Sequence, residues 1–432
     1  MIGAILIVGF LLLMLAGVPI AVALGIAGTV IIVLTGMDMP WFGLFTLQQS
    51  FNASIGKYPL LALPMFVLVG SAFDRSGVAV RIINFATAVV GRGPGMLPIV
   101  AIVVAMMLGG ISGSSVAVAA AIGGVMIGAM RRAGYPPAFS ATVIGSATAT
   151  DILIPPSLAF IVYSIMVPGV ALPDLFMAGL VPGVLAGCAL IVPAWWLSKR
   201  HGFGATEADL PRPPFWKSLR EASWGLVTPV LILGGMRAGW FTPTEAAVVA
   251  AFYVLFIGIF IHKTIGPKEL YEIFADSIRT SAVVMIILGF AGVFAYCVDT
   301  AGLADLIVHS FQALGLGGFG TLLLILIVLA LLGILLDGVT LFLVFIPVLL
   351  PLMLFYDWDP TWFGVLMTMV LALGQFTPPM AGTLLISCRL ANIPIEKTIP
   401  WAGWFIVSFA LAIALVLLEP QVALWLPQVL SK

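Results

Sequence analysis

The chain of 432 residues is 62% hydrophobic and 8% charged, with 18 basic residues balancing 18 acidic ones, and its mean hydropathy is +1.22. Soluble domains carry roughly 25% charged residues, so a fold made for water is excluded, and the absence of a dense Lys/Arg patch excludes a nucleic-acid partner. No GxxxxGK[ST] phosphate loop is present, which removes nucleotide hydrolysis as an energy source and leaves an ion gradient. Cys188, Cys297 and Cys388 sit singly in apolar segments, and His201, His262 and His309 lack a second ligand at helical spacing. These residues read as packing groups, so neither a transition metal nor an organic cofactor is expected.

Apolar runs of about 18 residues or more recur along the chain, enough for about ten crossings of a bilayer. The first begins at Met1 without a basic leader or cleavage site, which predicts a transmembrane helix retained in the mature protein. The loop 71–95 carries Arg75, Arg81 and Arg92, marking the cytoplasmic side. Residues 96–130 are apolar with basic flanks, Arg131 and Arg132 closing them, and hold Gly109-Gly110-Ile111-Ser112-Gly113-Ser114-Ser115 at their centre. That pattern predicts a re-entrant hairpin with a flexible polar tip; two full crossings joined by a short loop are the alternative. The segment 138–166 is an interrupted helix, because adjacent Pro155 and Pro156 remove two donors and disfavour helix before them. The polar stretch 198–222, with Lys199, Arg200, Arg212, Lys217 and Arg220, is expected to be cytoplasmic, either as amphipathic helix along the membrane surface or as a linker.

In the second half, Phe241-Thr242-Pro243-Thr244-Glu245 opens an apolar run, with Glu245 placed to cap the helix. The polar stretch 262–279 repeats the basic, cytoplasmic reading of 198–222. The loop 296–318 has no Lys or Arg and carries Asp299 and Asp305. A second hairpin is predicted over 320–355 around Asp337-Gly338, with Asp357 and Asp359 at its foot. A second broken helix covers 361–388 around Gly374-Gln375-Phe376-Thr377-Pro378-Pro379. Trp195, Trp196, Trp216, Trp401 and Trp404 suit membrane interfaces.

The two halves match each other in order. Gly17-Val18-Pro19 corresponds to Phe241-Thr242-Pro243, Asp74 to Asp299, Gly91 to Gly315, Ser112 to Asp337 and Pro155 to Pro378, at offsets of 223 to 225. Matched loops carry opposite charge bias, which predicts opposite orientation. The expected organisation is therefore all-α and polytopic. Residues 1–200 and 223–432 form two inverted repeats, each with a re-entrant hairpin and a Pro-Pro broken helix, joined by a cytoplasmic linker at 201–222.

Paired broken elements in inverted repeats point to a transport site near mid-membrane. Unwound carbonyls and hydroxyls are natural sodium ligands, and ionisable groups at membrane depth are costly enough to imply function. A first ion site is expected from Ser112, Ser114 and Ser115 with Asp151 and Pro155. A second is expected from Asp337, Gly338 and Thr340 with Thr377 and Pro378. Asp337 can serve as an ion ligand or as a cap at the hairpin turn. Gly113, Pro156, Ser157 and Pro379 are candidates to meet a substrate carboxylate through backbone donors and a hydroxyl.

The sequence resembles the large membrane (M) subunit of tripartite ATP-independent periplasmic (TRAP) transporters over essentially its whole length. The resemblance rests on Gly110-Ile111-Ser112-Gly113-Ser114-Ser115, Gly134-Tyr135, Ile154-Pro155-Pro156-Ser157 with Tyr163, Leu175-Phe176-Met177-Ala178-Gly179-Leu180-Val181-Pro182-Gly183, Phe241-Thr242-Pro243-Thr244-Glu245-Ala246-Ala247 and Thr377-Pro378-Pro379. It implies an elevator-type, sodium-driven secondary importer in a bacterial inner membrane, with Na+ as coupling ion. Its implied partners are a small membrane subunit (Q type) and a periplasmic substrate-binding protein (P type). Its implied cargo is a small organic acid such as a C4-dicarboxylate, sialic acid or another sugar or keto acid. One departure is Asp151, where the family pattern leads us to expect glycine. The chain also resembles the unfused form that pairs with a separate small subunit. A carboxylate or ion transporter of the same architecture that needs no binding protein is the nearest competing reading. A passive channel, or an intramembrane aspartyl protease using Asp151 and Asp337, is more remote.

Overall fold

A computed structural model describes residues 2–35, 40–90, 93–112, 114–207, 213–334, 336 and 338–430. All regular structure among them is helical, as membrane-spanning backbone must be when no water is available to its polar groups. Among the described residues, six single helices are long and apolar enough to cross a membrane, and two bent pairs raise that number to eight. The other apolar helices among the described residues are 10–17 residues long.

The helices sort into two packed groups. In the outer group, Ile20–Thr35, Pro40–Ile55 and Ala62–Arg75 lie against the 34-residue helix Pro267–Thr300. Pro243–Phe256 packs on Ala62–Arg75, and Val78–Val89 packs on Phe215–Arg237. Phe51 meets Phe290 edge-on at 5.1 Å inside this group. The inner group contains the two central hairpins and the two broken helices, wrapped by Leu172–His201, Ile399–Leu418 and Gln421–Leu430. Trp362 donates from its indole nitrogen to Val416 O at 2.8 Å, and Ser408 donates to Ala189 O at 2.5 Å, fastening that wrapping.

The first hairpin comprises Met96–Ser112 and Ser115–Arg132. Its feet are joined: Gly95 N donates to the Tyr135 hydroxyl at 2.7 Å, and that hydroxyl donates to Glu207 at 2.6 Å. The second hairpin comprises Gly317–Gly333 and Gly338–Phe355, with Thr321 donating to Tyr356 at 3.3 Å across its feet. Tyr163, near the far end of the first broken helix, donates to Pro360 O at 2.6 Å beside the second hairpin's foot.

The basic segments gather at one end, as their charge predicts. Arg75 pairs with Glu272 and with Asp276, and Arg81, Lys217, Arg220 and His262 line one cavity. Among the described residues, the polar stretches 198–222 and 262–279 are helical over most of their length. They are largely the ends of Leu172–His201, Phe215–Arg237 and Pro267–Thr300, because long basic side chains at a helix end reach the interface while the helix continues inward. The helix Phe215–Arg237 also runs through the boundary drawn at residue 222. Thr242 and Glu245 form the expected capping box, with Thr242 N donating to Glu245 at 2.8 Å.

Candidate functional site

Proline pairs interrupt both long central segments. The first runs as Pro137–Thr148, a tight turn at Ala149–Leu153, then Leu158–Met166. The second runs as Pro360–Gln375, then Gly382–Ala391. Each break receives the tip of its own hairpin, and in each case a glycine permits the approach. A Cβ on Gly109 would lie 2.5 Å from Asp151 Cα, and a Cβ on Gly374 would lie 2.5 Å from the Gly333 carbonyl carbon. Any side chain there would force backbone from backbone. Asp151 falls at the midpoint of the 30-residue span Pro137–Met166, so the tip that reaches it meets that span at its middle.

At the first contact, the Ser115 hydroxyl donates to Asp151 Oδ1. Asp151 is fully buried, and its Oδ2 has no hydrogen-bond partner among the described residues. Ser114 caps the second arm, accepting from Ala117 N at 3.4 Å. Thr383 holds the second break to the first broken helix. Its single hydroxyl proton is shared between Gly145 O at 2.8 Å and Gln375 O at 2.9 Å.

Between the tips lies a cavity of about 480 Å³. Ser114 and Ser115 contribute from the first tip, Ile152, Leu158 and Ala159 from the first break, and Gly333, Ile334, Leu336, Gly338 and Thr340 from the second tip. The second break adds Gln375, Met380, Gly382 and Thr383, and the helix Pro267–Thr300 of the outer group completes the wall with Thr280, Val283, Val284 and Ile287. No Lys, Arg, Asp or Glu is among the described lining residues.

Of the residues expected from sequence, Ser114, Ser115, Gly338 and Thr340 reach this cavity together. Asp151 is linked to it only through Ser115. Pro155, Pro156 and Ser157 are buried in the first break, away from the cavity wall, and the Ser157 hydroxyl is unpartnered among the described residues. Thr377 turns back to donate to Leu373 O at 2.6 Å, and Pro378 and Pro379 likewise lie off the wall. Gly113 and Asp337 lie outside the described residues, as does the side chain of Ser112. Sequence reasoning passed over Gln375, Thr383 and Thr280. Gln375 directly precedes the break, with its Oε1 buried and unpartnered among the described residues, and a polar amide at that depth is a usable signal.

Apolar spans, paired hairpins and broken helices around one shared cavity define a multi-pass membrane transport protein. More particularly, the chain belongs to the family of the DctM component of tripartite ATP-independent periplasmic transporters, whose family model matches residues 7–422. It is 35% identical, over 90% of its length, to the isethionate TRAP transporter permease protein DctMQ of Oleidesulfovibrio alaskensis, and that match spans 60% of the longer relative. It is 34% identical to the C4-dicarboxylate TRAP transporter large permease protein DctM of Vibrio cholerae, over 97% of this chain and 96% of that one. The sialic acid TRAP transporter large permease protein SiaM of the same organism is 33% identical, with 97% of both chains covered. The crystal structure of the Alcanivorax borkumensis YdaH transporter shares the fold with a TM-score of 0.62 at 15% identity, covering 88% of this chain and 89% of that one. The family consists of permeases, and the chain is not an enzyme.

Proposed function

We propose that this chain is the transport subunit of a sodium-coupled importer that carries a small organic acid across the bacterial inner membrane. It would work with a small membrane subunit and a periplasmic substrate-binding protein. The observation that carries this reading is the 480 Å³ cavity between the hairpin tips, polar in places yet without Lys or Arg among its described lining residues. A carboxylate taken to membrane depth needs compensating positive charge. With no basic side chain to supply it, a co-bound cation is the economical source, and the oxygen-rich hairpin tips supply hard ligands of the kind sodium prefers. The relatives named for isethionate, C4-dicarboxylate and sialic acid transport support an anionic cargo.

The two halves act as inverted repeats, with hairpins entering from opposite ends and each tip meeting its own break. Ser114, Ser115 and the first break form one ion site, with Ser112 and Asp151 contributing. The second tip, Gly338 and Thr340 with Asp337, forms another against Gln375 and Thr383. Substrate lies between them against Thr280 and the apolar face of Pro267–Thr300. Because that last wall belongs to the outer group, sliding the inner group past it would carry the cargo across, an elevator movement.

The test is uptake of labelled organic acids into proteoliposomes holding this chain, a small membrane subunit and a binding protein, with and without an inward sodium gradient. Uptake that needs every component and sodium is expected. Sodium-driven uptake by this chain alone would replace the tripartite reading with a self-sufficient carboxylate transporter, and gradient-independent leak would replace it with a channel.

A further inference from the structure

A second cavity, of about 670 Å³, lies at the basic end of the outer group, away from the transport site. Its walls are Val78–Val89, the first turns of Phe215–Arg237, and the chain leaving the wide turn Ile257–Ile261. The polar lining is Arg81, Asn84, Lys217, Arg220, Glu221 and His262. Lys217, Arg220 and Trp224 follow one another at helical spacing along one face, with Trp224 about 10 Å further along the axis than Lys217.

Three features select a ligand. Arg81, Lys217 and Arg220 face a single carboxylate, and neither Lys217 nor Arg220 has an acidic partner among the described residues. The charge is thus left for something else to balance, and it argues against a headgroup that ends in an ammonium. His262 Nδ1 must donate to Ser76 O at 2.8 Å, since a carbonyl only accepts. Burial lowers the pKa of this ring, and in the neutral form its Nε2 is an acceptor, buried without a partner among the described residues, so a hydroxyl donor suits it. Trp224, Val80 and Ile261 continue the cavity as exposed apolar surface, in line with acyl chains leaving a headgroup held at the interface.

We propose that this cavity binds the phosphoglycerol headgroup of an anionic phospholipid of the cytoplasmic leaflet. The phosphate sits among Arg81, Lys217 and Arg220, and a glycerol hydroxyl faces His262. Basic pockets between transmembrane helices on this side of a membrane recognise anionic headgroups by this chemistry. The bound lipid would clamp Val78–Val89 to Phe215–Arg237, two helices of the outer group against which the inner group packs.

The experiment equilibrates the purified full-length chain with mixed phosphatidylcholine and phosphatidylglycerol micelles, then measures co-purifying lipid by mass spectrometry. Selective retention of phosphatidylglycerol is expected, with affinity falling about thirty-fold in Lys217→Gln/Arg220→Gln from the loss of two interfacial charges. The charge-conserving Lys217→Arg/Arg220→Lys chain should retain it, which separates charge from folding. Equal retention of phosphatidylcholine, or undiminished phosphatidylglycerol retention by the Gln variant, would overturn the proposal. So would binding of free glycerol phosphate that is lost in the Gln variant while the lipid is not retained, because the ligand would then be a soluble phosphate.

Discussion

Replacing Gly374 by Ala places a methyl where the structure has backbone. The new Cβ would stand 2.5 Å from both the carbonyl carbon and the oxygen of Gly333, against an ordinary separation of about 3.5–4.0 Å. No rotamer change relieves a clash between main chains, so the second hairpin tip must retreat by about 1 Å, a displacement that overpacking costs put at about 1–3 kcal/mol. The tip carries the proposed second ion site, so the same energy should appear as weaker sodium activation, by roughly 5- to 150-fold in half-saturating concentration. Gly403→Ala is the control, since it makes the same change within a helix and its Cβ meets nothing within 4 Å. Both variants gain helix propensity, so the difference between them isolates the contact. Sodium-dependent uptake in proteoliposomes, with thermal unfolding at several sodium concentrations, reads both quantities. Indistinguishable sodium activation in the two variants would refute the close-approach argument.

Three further outcomes are expected. Tyr135→Phe removes a donation to Glu207 and an acceptance from Gly95 N at the first hairpin's feet, and should cost about 2–3 kcal/mol in unfolding measurements. Burial first, and then the Glu207 carboxylate, push the Tyr135 hydroxyl well above its ordinary pKa. Above about pH 10 the unfolded chain therefore loses this proton first and stability falls as pH rises; Tyr135→Phe should lose that part of the alkaline decline, and an identical slope would count against it. Ser115→Ala strips Asp151 of its one hydroxyl donor in the described structure and should impair uptake more than Ser114→Ala, which costs a long capping bond of about 1 kcal/mol or less; the reverse order in side-by-side uptake assays would displace Ser115 from the site. Thr383→Val keeps the shape but leaves Gly145 O and Gln375 O without their shared donor, so a loss of about 1–3 kcal/mol is expected by thermal unfolding, and a wild-type melt would remove the pin from the account.

The breaks and hairpins were legible because proline and clustered glycine act locally, whatever surrounds them. Charge asymmetry in short loops was equally local in origin, and it placed Arg75, Arg81 and Lys217 at the same end. The cavity wall was less so. Thr377 was marked by its position beside Pro378; its hydroxyl donates to the Leu373 carbonyl four residues back, which orients the oxygen and leaves its lone pairs available. Thr383 and Thr280 come from elements whose meeting depends on packing between the two groups, which no spacing encodes. The Tyr135–Glu207 pair joins residues 72 apart in sequence, and nothing near either one announces the other. Gly109 and Gly374 are recognisable as glycines in apolar runs, but the chain holds 46 glycines, and only geometry says which ones admit another backbone.

The shared proton of Thr383 makes the two broken helices one mechanical piece. Gly145 reinforces it, since a Cβ there would come within 2.8 Å of Leu384 Cα. If cargo and ions bind on either side of this joint as proposed, they are not independent tenants. Filling one pocket stiffens the frame of the other, so occupancy at each should raise affinity at the other by a common factor, as linkage demands. An obligatory stoichiometry can then come from the joint itself, and a loosened joint would leak ions without cargo.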